Sequence, residues 1–101
     1  MATPSDDIFE NSSVAELLKA LLLLESESDA KSFLRDLLTE NELKEFAMRW
    51  QVARMLHEKL PYSHIERETG LSSTTIARIS KWLSTGTGGY QKMLEKFDQL
   101  S

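Results

Sequence analysis

The residues best equipped for chemistry stand in one run. Ser72, Ser73, Thr74 and Thr75 are followed by Arg78 and, three residues on, Lys81. At helical spacing this puts small hydroxyls on a first turn and two cations on the turns after it. Hydroxyl, guanidinium and ammonium groups donate hydrogen bonds to anionic and carbonyl oxygens. The chemistry such a run supports is non-covalent recognition. No catalytic set accompanies it, because the plentiful serines and carboxylates come with no nucleophile elbow, no paired histidines and no metal cluster. His57 and His64 are seven apart in a chain without cysteine, and neither has a partner at metal-ligand spacing. Both read as surface or boundary residues; neither an enzyme nor a metal site is expected.

Two helices and a turn are needed to hold that run. Gly70 sits where a first helix must end, in the left-handed conformation that glycine adopts without steric cost. Ile65 lies five residues before it, Leu71 one after, Ile76 six after and Ile79 nine after. Those four apolar side chains can pack two crossed helices at a fixed angle. Ser72 and Ser73 are natural N-caps for the second helix, whose outward positions are then Thr74, Thr75, Arg78 and Lys81. The pattern over residues 62–83 is that of a helix-turn-helix, whose second helix enters the major groove of duplex DNA by its N-terminal end. Small hydroxyls there allow approach and bond phosphate or base edges. Arg78 reaches a guanine or a phosphate, and Lys81 meets phosphate. Ser63 and His64, at the start of the first helix, are further candidates for DNA contact. Glu66 departs from the usual unit, which has a small residue four before the turn glycine. It implies a more open crossing or a side chain pointing away.

The rest of the chain reads as helix throughout. Residues 1–12 form a flexible tail, and 13–101 a single helical domain. Ser13 with Glu16 makes a capping box that opens a first helix carrying Val14, Leu17, Leu18, Leu21 and Leu22 on one face. Ser28 caps a second helix running through Leu38, with Phe33, Leu34, Leu37 and Leu38 inward. Thr39 with Glu42 is another capping box, so a third helix starts at Glu40 and runs to about residue 59, ended by Pro61. That helix carries two apolar stripes: Leu43, Phe46, Ala47, Trp50 and Ala53, and Val52, Met55, Leu56 and Leu60. Together they exceed the apolar face of a surface helix, as suits a helix central to a core or shared between subunits. Gly86 ends the recognition helix, and a last helix follows over 90–100, against which Trp82 packs. The segment Gly86-Thr87-Gly88-Gly89 lacks the Lys-Ser/Thr ending of a nucleotide loop.

Charge divides the chain. Residues 1–45 hold 4 basic and 11 acidic side chains, whereas residues 46–101 hold 8 basic and 5 acidic. The net charge of −4 therefore hides a basic half in which no acidic residue falls between Thr69 and Leu94. The leucine-rich stretch over 14–24 is interrupted by Glu16 and Lys19, so no membrane span is expected. An acidic N-terminus, unlike a signal peptide, and the lack of cysteine fit the cytoplasm.

The stretch from Leu38-Thr39-Glu40 to Gly86-Thr87-Gly88-Gly89-Tyr90 resembles the tryptophan-repressor superfamily, and within it the YerC/YecD-type branch. The resembling features are Arg49-Trp50-Gln51-Val52-Ala53-Arg54, the segment from Ile65 to Ile76 around Gly70, and Trp82-Leu83 onward. The resemblance implies an all-α, intertwined homodimer whose early helices wrap the partner, and a transcriptional regulator, a repressor, on a palindromic double-stranded operator. In the tryptophan repressor an amino-acid corepressor sits between the third helix and the recognition helix. Arg49 and Arg78 match its two arginines, and Thr39 a further contact, so the resemblance implies a site for a small-molecule corepressor at these three residues. Ile79 stands where the repressor has the glycine against which the flat indole lies, which speaks against tryptophan here. The competing reading is a protein-interaction module whose helix-turn-helix docks a protein partner without specific DNA binding.

Overall fold

A computed structural model of the protein describes residues 7–100. Among these residues the structure is all-helical: α1 Ser12–Leu21, α2 Glu27–Leu37, α3 Glu40–His57, α4 Tyr62–Thr69, α5 Ser73–Thr85 and α6 Gly89–Asp98. They gather into two compact units, divided between Glu40 and Asn41.

In the first unit both caps fall two residues before the predicted serines. Asn11, not Ser13, caps α1: its Oδ1 accepts from the N–H groups of Ser13 (2.9 Å) and Val14 (3.2 Å). Ser26, not Ser28, caps α2, its Oγ accepting from the Asp29 N–H at 3.0 Å. The Asp29 carboxylate accepts in return from the Glu25 N–H at 3.2 Å. Asparagine and serine are near-equal N-caps, so runs with several such residues leave the start open. Neither helix buries a residue. Leu17, Leu18, Leu21 and Leu37 are exposed, and Leu22 is 85% exposed. Of the expected tail, residues 1–6 lie outside the described residues. The N–H groups of Glu10 and Asn11 bond back to the carbonyls of Asp7 and Ile8.

The second unit holds the core. Val52 and Ala53 of α3, Ile65 of α4, and Ile76 and Ile79 of α5 form one buried cluster, 0–1% exposed, with Met55, Leu56, Leu60, Leu71 and Tyr90 against it. Of the two stripes expected on α3, Phe46 and Ala47 are exposed, whereas Leu43 and Trp50 are half-buried. Leu94 of α6 is also buried. Gln91 Nε2 of α6 donates to the Leu83 carbonyl of α5 at 2.9 Å. Trp50 meets Phe97 edge-on at 5.7 Å, the Arg54 guanidinium lies 4.6 Å from the Phe97 ring centre, and His57 reaches Asp98 at 3.0 Å.

The end of α3 corrects the expectation built on Pro61. The helix stops at His57. Lys59 is left-handed, at φ 64°, with its N–H on the Leu56 carbonyl (2.9 Å) and the Leu60 N–H on the Met55 carbonyl (3.1 Å). This pair of bonds is a Schellman ending. It closes the helix before the proline acts, and Pro61 becomes the N-cap of α4.

Candidate nucleic-acid interface

The turn between α4 and α5 is built from its own residues. Gly70 is left-handed, at φ 74°, and its N–H closes on the Glu66 carbonyl at 2.8 Å. Thr69, unremarked in the sequence pattern, stitches the turn: its hydroxyl donates to the Ile65 carbonyl (2.7 Å) and accepts from the Leu71 N–H (3.2 Å). Ser72 is the N-cap of α5, its Oγ accepting from the Thr75 N–H at 3.3 Å, and Ser73 opens the helix. At the far end the Gly86 N–H closes on the Trp82 carbonyl at 2.9 Å. Ile65, Ile76 and Ile79 are buried and Leu71 is half-buried, so the four predicted apolar positions all face inward. Glu66 is exposed: it points away from the crossing.

On the outer side of α5, Ser73, Thr74, Arg78 and Lys81 are exposed. Thr75 is not outward as expected. It is half-buried, and its Oγ1 lies 3.2 Å from the Ser72 Oγ, so these two hydroxyls engage each other. On α4, Ser63 is exposed, and the half-buried His64 pairs through Nδ1 with the Arg67 guanidinium at 3.1 Å. Nδ1 accepts that bond only in the neutral tautomer carrying its proton on Nε2. Arg67 escaped the sequence reading although its spacing, one turn from His64, was visible.

A cleft of about 290 Å³ opens between α3 and α5. Glu45, Met48 and Arg49 line it from α3, Leu71 from the turn, and Thr75, Arg78, Ile79 and Trp82 from α5. Arg49 and Arg78 are thus brought to one cavity, and Thr39 lies in the first unit, one residue before α3. Arg49 holds Glu45 at 3.9 Å, both side chains half-exposed or more, which makes a weak, solvent-screened pair. Trp82 lines this cleft and stays 47% exposed.

The chain matches the family described as Trp repressor protein over residues 12–98. It is 38% identical over 81 residues to the protein YerC of Bacillus subtilis (strain 168), covering 80% of this chain and 78% of that one. Among solved structures, a TrpR-like protein from Eubacterium eligens ATCC 27750 superposes with a TM-score of 0.84 at 33% identity, covering 91% of this chain and 95% of the other. A candidate Trp repressor from Staphylococcus aureus gives a TM-score of 0.86 at 31% identity, over 96% of both chains.

Proposed function

The chain belongs to the Trp repressor family, whose fold is that of a non-enzymatic DNA-binding regulator, and from that premise we propose its specific role. It is a sequence-specific repressor of transcription that binds a palindromic double-stranded operator as a homodimer. The observation that carries this reading is the left-handed turn at Gly70 with the Ser72-capped α5, which leaves Ser73, Thr74, Arg78 and Lys81 exposed on one recognition helix. Ser63 and His64 at the start of α4 meet phosphate beside the groove, where the first helix of such a unit crosses the backbone. Ser72 and Thr75 contribute from the N-terminal turn of α5.

The second copy is argued from uncovered apolar surface. The first unit buries none of its leucines, and in the second unit Phe46, Met93 and Phe97 stay exposed beside Trp50 and Tyr90. Soluble monomers seldom leave contiguous apolar faces of this kind open. A second copy covers them in the intertwined arrangement, and its two recognition helices then enter major grooves about one helical turn apart. No helix among the described residues is long and apolar enough to cross a membrane. The relatives are bacterial, and operator DNA in such cells lies in the cytoplasm.

Thr39, Arg49 and Arg78 answer to the corepressor contacts of the tryptophan repressor. We assign no tryptophan to the cleft, because Ile79 stands where the tryptophan repressor has the glycine against which the indole lies.

Binding of the full chain to sheared genomic DNA across a salt series tests the reading. Phosphate-mediated binding weakens steeply with salt, and sequencing the fragments retained at moderate salt should yield a palindromic site. Retention of nothing, even at low salt, would favour a module that docks a protein.

A further inference from the structure

The seam between α3 and α5 carries an inference about regulation, one that rests on the DNA-binding reading. Ile79 takes part in two structures at once. It lines the cleft that also holds Arg49 and Arg78, and it is 1% exposed within the core cluster of Val52, Ala53, Ile65 and Ile76. A β-branched side chain in a helix is stiff, with one strongly preferred rotamer. Protein interiors are close-packed, so a stiff body lodged between two helices sets their separation. In the tryptophan repressor the corresponding residue is glycine and a ligand occupies the seam. In this chain Ile79 is buried at that seam, packed with Val52 and Ala53 of α3, and the cleft opens beside it.

We propose that Ile79 is a built-in wedge that holds the recognition helix in its DNA-competent position, so that DNA binding requires no small-molecule corepressor. Ile79 is a positioning residue that touches no DNA. Arg78, exposed at the mouth of the cleft, is then committed to DNA and to no ligand.

The test uses the full chain, dialysed free of small molecules, and a duplex selected from retained genomic fragments. Affinity by fluorescence anisotropy should be the same with and without millimolar L-tryptophan. Ile79→Val should bind within about threefold of wild type. Ile79→Ala, measured where circular dichroism shows it folded, should lose about tenfold or more, as when only about one molecule in ten is competent. Indole should restore part of that loss by filling the seam. Ile65→Ala opens the same core from α4 and should lower Tm comparably, with neither the loss of affinity nor the rescue. A wild type that binds its duplex only after L-tryptophan is added would overturn the wedge. So would a folded Ile79→Ala chain that binds as tightly as wild type. Amide hydrogen exchange gives a readout independent of DNA. The α5 amides should be protected in the ligand-free wild type and exposed in Ile79→Ala, and equal exchange in the two chains overturns the proposal. Protected α5 amides in a wild type that retains no DNA under any condition would instead sink the DNA-binding reading and leave the wedge standing.

Discussion

Arg78 and Lys81 are both exposed cations on α5, and under the proposed DNA-binding role their chemistry gives them different work. A guanidinium presents a planar fork that matches the two acceptors of guanine, whereas an ammonium acts as a point charge suited to phosphate. Arg78→Ala should therefore cost about 1–3 kcal/mol on the selected duplex and flatten the preference at one base position. Lys81→Ala should weaken every sequence alike and reduce the slope of log affinity against log salt by about 1. Titrating both variants against single-base changes in the duplex, at three salt concentrations, separates the two roles. Equal loss on all sequences for Arg78→Ala would make it a phosphate contact. At this scale the spacing told which residues share a face but not which neighbour each one finds. Arg78 and Lys81 were legible as outward. Thr75 turned to Ser72, and Trp82 lines the cleft, because periodicity sets the face a side chain shares and not the group it meets there.

Element boundaries show which local signals are strong. Gly70 marked the end of α4 because a left-handed residue is needed there and glycine is the residue that adopts it freely. The end of α3 was misread because its left-handed residue is Lys59, which carries no such signature. The strain gives a prediction of unusual sign. Lys59→Gly should stabilise the chain, because the left-handed conformation costs an L-residue about 1–2 kcal/mol, less what glycine loses in backbone entropy. A net gain of about 1 kcal/mol raises Tm by about 4–8 °C in a domain of this size. Gly86 should behave in the opposite way. A Cβ built there runs into the Trp82 carbonyl oxygen, the acceptor that closes α5, whereas one on Gly89 meets nothing nearer than the Thr87 Oγ1 at 3.8 Å. Gly86→Ala should lower Tm, and Gly89→Ala should leave it unchanged or raise it slightly by restricting the unfolded chain. Thermal unfolding followed by circular dichroism ranks the three variants. A Gly86→Ala chain as stable as wild type would show that the end of α5 relaxes freely.

For the whole molecule, the sequence showed an excess of apolar positions on α3, while the structure shows which of them one copy leaves open. The buried cluster is small and lies wholly in the second unit, and no described residue of the first unit is buried. Patterning could not reveal that division, since an amphipathic helix has the same periodicity whether its apolar face meets its own chain or another. A domain this small, with so little buried, is marginal by itself. Burial against a second copy would couple folding to association, so the homodimer should sediment at twice the mass of the chain and its Tm should rise with protein concentration. Placing charge on the open face of α1 tests the coupling directly. Leu18→Glu leaves the helix propensity of α1 nearly unchanged, Leu22→Glu falls on its C-cap, and together they set two carboxylates where the partner must desolvate them. The doubly substituted chain should sediment as a monomer, lose the dependence of Tm on concentration, and release the palindromic duplex while retaining weak, salt-sensitive binding to any DNA. If it still sediments as a dimer, the leucine face of α1 is not the surface that a second copy covers, and the exposed aromatic residues of α3 and α6 become the place to set the next charge.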